Sequence, residues 1–181
     1  MAIQRDTVRR ALRAFVMKAS GLPDECVIWD HQNVPRPGAT YAVLNDWVAL
    51  ARVGMDDEQR ITADGVITHV GQRRLTVSVN VYGAGAKPTA AAIHDGLARY
   101  DCRALLDQAD LAVIGRGEPR DLTALMDAVW EERSQLDLIF GLVASDAEVV
   151  GWIQSVEVAA EYNAGGDPPT EIETIITIGG V

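Results

Sequence analysis

The chain has 181 residues and a mass of 19.5 kDa, with 16 Lys+Arg against 26 Asp+Glu, a formal net charge of −10 and 48% hydrophobic residues. A chain of this size buries about 70% of the surface its unfolded form exposes, enough for a core without disulfide or metal, and its hydrophobicity argues against disorder. The acidic balance, with a pI near 4.7, excludes a protein that grips nucleic-acid phosphates over its whole surface, because that affinity rests on Lys and Arg.

From Asp6 to Ser20, Val8, Ala11, Leu12, Phe15, Val16 and Ala19 recur at helical spacing, and Arg9, Arg10, Arg13 and Lys18 fill the opposite side. Asp6 or Thr7 is the expected cap, and Gly21 and Pro23 the stop. The basic stripe reads first as a solvated face, and alternatively as a contact for an acidic neighbouring subunit. Cys26–Trp29 is a short β-type run. The stretch after it, Asp30 to Gly38, holds two prolines and a glycine and is a stiff loop.

Tyr41–Val53 and Val66–Tyr82 read as two long strands, the second alternating Leu75, Val77, Val79 and Val81 with Thr76, Ser78, Asn80 and Tyr82. Between them lies the polar, acidic stretch Gly54–Gly65, expected as the mobile tip of an antiparallel ribbon. Thr89 is the expected cap of a second helix that runs through Ala92, Ile93, Gly96, Leu97 and Tyr100 toward Leu106 with a break. Leu111–Ile114 is a short strand and Arg116–Asp121 a turn. Trp130–Ala144, Ile153–Tyr162 and Ile172–Ile178 are further strands, with Asn163–Pro169 a loop. This order predicts an α+β fold: a mostly antiparallel or mixed β-sheet with a long β-hairpin, packed against two main α-helices. No repeat or linker divides the chain, so a single domain over residues 1–181 is expected.

Cys26 and Cys102 are far apart and form no metal or redox motif, which fits a reduced cytoplasmic protein. The first residues lack the apolar stretch of a signal peptide and no run approaches ~18 apolar residues, so neither secretion by such a signal nor membrane insertion is expected. No Gly-x-Ser-x-Gly elbow and no paired His or Cys ligands occur; His31, His69 and His94 stand alone and read as surface or loop histidines. Cofactors and metals are accordingly not expected.

Two places imitate chemistry. Gly83–Thr89 is a glycine-rich turn before a helix, where backbone N–H groups can cradle an anion, but its spacing fits neither phosphate-binding pattern and Pro88 removes a donor. Asp127, Glu131, Glu132 and Asp137 suggest a general acid/base pair or a site for a hard cation, but Arg133 among them reads as an ion-paired exposed face. Among four tryptophans, Trp29 and Trp130 abut polar loops and suit an interface, whereas Trp47 and Trp152 suit the core.

Val27–Ala42 (VIWDHQNVPRPGATYA) and Asp121–Leu138 (DLTALMDAVWEERSQLDL) resemble two stretches of the phage neck and tail-terminator family, in that family's order and across nearly the whole chain. Thr40 stands where the family usually has Pro, and Ser134 where it has Ala. The resemblance implies a non-enzymatic structural virion protein of a tailed phage or prophage, α+β in fold. It implies a homo-oligomeric ring, usually a hexamer, that caps the tail tube, meets the sheath where one exists, and joins the head connector. It also implies assembly in the host cytoplasm, no membrane, and passage of genomic DNA without sequence-specific binding. The alternatives are another neck, head-completion or tail-tube component, or a small anion- or nucleotide-binding enzyme domain built on the Gly83 turn.

In a ring, an acidic subunit lines the channel with negative charge that discourages DNA from sticking; Asp56, Asp57, Glu58, Asp64, Glu131 and Glu132 are the candidate channel acids. A closed ring needs two different patches to meet. The candidate interface residues are Arg9, Arg10, Arg13, Trp29, Asn33, Pro35, Arg36, Pro37, Trp130 and Arg133, with the basic helix opposite the acidic ribbon tip.

Overall fold

The computed structural model describes residues 3–59, 65–126, 128–150, 155–162 and 170–177. The first helix, α1, runs Arg5–Ser20 and buries Val8, Leu12, Phe15, Val16 and Ala19, the apolar stripe of its sequence. Removing each large side chain of that stripe from water stabilises the fold by roughly 1.5–3 kcal/mol. Gly21 ends it in the left-handed conformation, φ 74°, with its N–H on Met17 O. The expected cap at Asp6 or Thr7 does not form: Gln4 precedes the first turn without a side-chain cap, and Asp6 lies inside that turn, where its charge favours the positive end of the helix dipole.

A 3-10 turn, Asp24–Cys26, leads into β1, Val27–Trp29, which pairs in parallel with the start of β2, Tyr41–Gln59, in the register Val27↔Ala42 to Trp29↔Leu44. β2 and β3, Val66–Tyr82, are the long hairpin. β2 thus continues through Gln59 into the stretch expected as a mobile tip. Helix α2, Ala86–Gly96, starts three residues before the expected cap: Gly85 at φ 85° turns the chain and Thr89 already donates its N–H to Gly85 O. Pro88 is tolerated there because the first turn of a helix has no partner for its missing N–H. The anticipated break falls between α2 and α3, Tyr100–Asp107.

β4, Ala112–Arg116, β5, Arg120–Asp121, and β8, Arg133–Val149, complete a sheet of order β1-β2-β3-β8-β4, with β5 also on β8. The stretch Trp130–Ala144 is therefore not one strand: β6, Ala124–Met126, and β7, Val129–Glu131, form their own hairpin before β8 begins. Helices α1, α2 and α3 cover one face of the sheet. The core there is Leu75, Val77, Val79 and Val81 of β3 and Leu136, Leu138, Phe140 and Leu142 of β8, packed against Leu12, Phe15, Ile93 and Leu106. On the other face, Gln135 Nε2 donates to Ser78 Oγ at 3.1 Å and Arg133 Nη2 to Asn80 Oδ1 at 2.8 Å. Cys26 and Cys102 are buried, free thiols.

The chain forms two compact units, residues 1–57 with 70–145 and residues 58–69 with 146–181. In the second, β9, Ser155–Tyr162, pairs antiparallel with β10, Thr170–Thr177, and Val150 donates its N–H to Gly65 O at 2.8 Å. The expected loop Asn163–Pro169 and Trp152 lie outside the described residues. No described helix is long and apolar enough to cross a membrane.

Candidate functional site

The proline-rich loop and the β6–β7 hairpin, far apart in sequence, meet beside the sheet. Arg36 Nη1 lies 3.8 Å from Glu131 Oε1. Both charges act on Tyr41, whose hydroxyl is pushed up chiefly by burial, with Arg36 opposing and Glu131 adding to the rise. Tyr41 stacks on Tyr82 with ring centres 5.1 Å apart, and the Arg133 guanidinium lies 5.2 Å from the Tyr82 ring centre. Arg133 therefore answers to Asn80 and Tyr82 rather than to the acids beside it in sequence, and its Nε is buried without a partner. The loop's far end is pinned where the Thr40 hydroxyl donates to Ala84 O. Gly83 is required there: its φ is +91° and a Cβ would sit 3.2 Å from Thr40 Cα.

Glu132 fills the glycine-rich turn. Its backbone oxygen accepts from Gly83 N and its Oε2 from Gly85 N, each at 3.0 Å. The anion at this helix start is thus the chain's own carboxylate, which takes the backbone donor that a phosphate ligand would need. Nearby, Lys87 Nζ holds Asp121 at 2.7 Å. The Lys87 hydrogen bond, then those from the Thr123 hydroxyl and N–H, pull the Asp121 carboxyl down to about 2.

With both ends fastened, the hairpin presents its middle to solvent: Leu125 is 57%, Val129 67% and Trp130 69% exposed, with Leu122 beside them. Its turn is tight, Met126 pairing with Val129, and Ala128 takes φ 71°. A 380 Å³ recess between the hairpin and the Gly83 turn is lined by Ala84, Val129, Trp130 and Glu132. Val34 of the proline-rich loop is also exposed, as are its neighbours Asn33, Pro35 and Arg36, while Pro37 is half-buried. Leu122, Leu125 and Val129 were not among the residues expected from sequence. Their only local signal is the pair Asp127-Ala128 between two short apolar runs.

The basic helix mostly serves its own subunit. Arg9 lies 4.2 Å over the Trp29 ring and Arg5 5.3 Å over Trp47, so both tryptophans are half-buried against the core. The two arginines share Asp46, 7% exposed, with Nε–Oδ2 distances of 3.2 Å for Arg5 and 3.7 Å for Arg9. Arg13 binds Asp24 Oδ1 at 2.5 Å and Val27 O at 3.0 Å. Arg10 has only the Thr7 hydroxyl, at 3.3 Å, among the described residues.

The ribbon acids are divided in the same way. Asp56 is held by Arg73 at 2.7 Å and by Arg52, and the Arg73 hydrogen bond keeps its carboxyl below the usual range. Asp57 is exposed. Asp64 and the Glu58 side chain lie outside the described residues. Of the histidines, His31 is exposed, His69 faces Glu148 at 3.6 Å, and His94 is largely buried, with Nδ1 on Asp95. Among the described residues no group of three or more His, Cys, Asp or Glu is placed to hold a metal ion.

The described residues thus form an α+β unit with an exposed apolar patch on a hairpin that is fastened to the sheet at both ends. A family model described as phage neck terminator protein matches residues 6–166. The chain belongs to that family, a phage structural neck family whose members act with other neck and tail components of the virion. No curated protein matches the chain.

Proposed function

We propose that this chain is a tail terminator whose copies close into a ring, with six the expected number, cap the completed tail tube and join it to the head connector. The observation that carries this reading is the docking face itself. The two stretches that resemble the family meet through Arg36 and Glu131, and the hairpin beside them exposes a tryptophan and two further large apolar side chains. An exposed apolar patch rimmed by polar residues marks a protein contact, and a part already fixed in shape loses little entropy on docking.

A net charge of −10 supports a negative channel that lets DNA pass without adhering. Asp57 is the strongest channel candidate because it is exposed, whereas Arg52 and Arg73 screen Asp56, Arg36 screens Glu131, and Gly85 N–H engages Glu132. The sheath, where one exists, is a further contact, and assembly takes place in the host cytoplasm. The test is to add the purified chain to tails lacking their terminator and image them by electron microscopy. The reading predicts density at one end of each tube and restored joining to heads; tubes left bare at both ends would contradict it.

A further inference from the structure

β1 covers the outer edge of β2 only as far as Trp29↔Leu44, and Arg5 lies over Trp47. From Val48 to Val53 no strand or other backbone group takes up that edge among the described residues. Val48 and Leu50 on one side of the strand, and Ala49 and Val53 on the other, are all exposed. An edge left open in this way is a template for pairing with another chain, and proteins blunt such edges with short strands, Lys, Pro or bulges. Val48–Val53 holds no Lys or Pro, and its one charge, Arg52, is held by Asp56. The left-handed Gly54, φ 72°, comes only after it.

The opposite margin of the sheet is open too. β4 covers β8 as far as Ala112↔Gly141; Leu142–Ser145 then continues β8 with no strand outside it among the described residues, no charge, and Val143 exposed. The other outer strands of this sheet are blunted, β1 by its three-residue length and β4 by a register shift between Val113 and Gly115. β2 and β8 flank β3, so the two open margins lie on opposite sides of the same three strands. β8 runs against β3, since Gln135 meets Ser78 while Arg133 meets Asn80. β2 also runs against β3, through the hairpin, and β2 and β8 therefore point the same way.

We infer that the Val48–Val53 edge of one copy pairs in parallel with the Leu142–Ser145 edge of the next, so that the sheet runs on from subunit to subunit. The occupant is a second copy because each copy carries both halves of the joint. An open row of backbone N–H and C=O groups takes an added strand, and the chain itself offers, at the opposite margin, a strand whose outer row is open and uncharged. A joint between two different edges is head-to-tail and closes into a ring when its rotation allows. Rotation about the ring axis keeps β2 and β8 pointing the same way, which makes the pairing parallel, and closure leaves neither margin open. This inference rests on the ring reading above and names its joint.

The experiment is disulfide trapping on the full chain, with Val143→Cys mixed in turn with Val48→Cys, Ala49→Cys, Leu50→Cys and Ala51→Cys, in solution and on isolated tail tubes. It is read beside the mass of the unmodified protein. Cys26 and Cys102 are buried and leave a clean background. Successive side chains of a strand point to opposite faces, so the expected result is covalent dimers at alternate positions of the four and little product from any variant alone. Adjacent N–H groups likewise point to opposite margins of a strand. Of Ala49→Pro and Leu50→Pro, one therefore lowers the thermal midpoint by removing a bond to β3, and the other keeps the midpoint and abolishes ring assembly.

Rings that form with no trapping at any of the four positions, and that tolerate both proline variants, would overturn this joint and leave the ring reading standing. Equal trapping at all four positions would overturn strand pairing, and trapping to a tube protein in place of a second copy would overturn the occupant. Self-trapping of Leu50→Cys alone would show a two-fold contact and overturn the head-to-tail arrangement. A chain that stays monomeric in solution and never binds tubes would overturn both the joint and the ring.

Discussion

Arg36 reaches Glu131 at 3.8 Å and so ties the proline-rich loop to the last strand of the exposed hairpin. The pair is open to water, with side-chain exposures of 71% and 32%, so its energy is small, about 0.2–1 kcal/mol. Arg36→Glu is expected to shift the thermal midpoint by no more than about 4 °C. Combining it with Glu131→Arg recovers most of that loss. A double-mutant cycle from urea unfolding measures the coupling; a coupling of zero would mean that the loop is held by Thr40 and its prolines alone.

The clamp between Lys87 and Asp121 carries a pH signature. The Asp121 carboxyl is lowered from the usual 3.8 to about 2 by Lys87 first and Thr123 next. A carboxylate with a depressed folded-state pKa contributes stability that is fully present above its unfolded value and is lost as pH falls through the folded one. The Asp121 contribution is therefore complete above about pH 4 and disappears between about pH 4 and pH 2. An NMR titration of the Asp121 carboxyl carbon is expected to show a midpoint near 2, moved toward the usual value in Lys87→Met. The same midpoint in both proteins would refute the assignment of the shift to Lys87.

Gly96 is the point where α2 comes closest to α1. A Cβ there would fall 2.5 Å from Ala19 Cβ and 3.5 Å from Ala19 Cα, nearer than packed carbons approach. Gly96→Ala is expected to destabilise the protein by about 1–3 kcal/mol through overpacking, although alanine is the better helix former. Adding Ala19→Gly recovers part of the loss by reopening the space. Chemical denaturation of the single and double variants checks both signs.

Ala128 holds φ 71° in the turn of the Trp130 hairpin, a conformation that costs an alanine about 1 kcal/mol relative to glycine. Ala128→Gly is expected to raise stability by a few tenths of a kcal/mol up to about 1 kcal/mol, after the greater freedom of glycine in the unfolded chain is subtracted. A drop in the thermal midpoint would indicate that the hairpin turn has another shape.

The parts of the fold that show in the sequence are those set by local periodicity. Helix α1 follows from its apolar stripe and from Gly21, and β3 occupies Val66–Tyr82 as its alternation predicts. What does not show depends on contacts between distant residues. The β6–β7 hairpin does not show because the apolar residues after Trp130 alternate as in one strand, whereas the chain breaks at Glu132, whose backbone oxygen and carboxylate accept from Gly83 and Gly85. The start of α2 was displaced because a left-handed Gly85 outweighed the capping tendency of Thr89.

The candidate site divides along the same line. Trp130 and Arg36 were legible as members of unusual stretches, and the hairpin does expose Trp130 while the loop exposes Arg36. The destinations of Arg9 and Arg13 were not, because charge along a helix says nothing of Asp46 or Asp24 waiting in the same subunit. That internal pairing leaves Arg10 as the member of the basic stripe most available to a neighbour.

Closure into a ring is the property on which the proposed role depends. Light scattering on a size-exclusion column over a concentration series, with negative-stain images of the largest species and of the chain bound to tail tubes, tests it most directly. The expected result is a ring with a central channel and a mass about six times the 19.5 kDa subunit. A species that remains at 19.5 kDa at every concentration and forms no ring on tubes would contradict it.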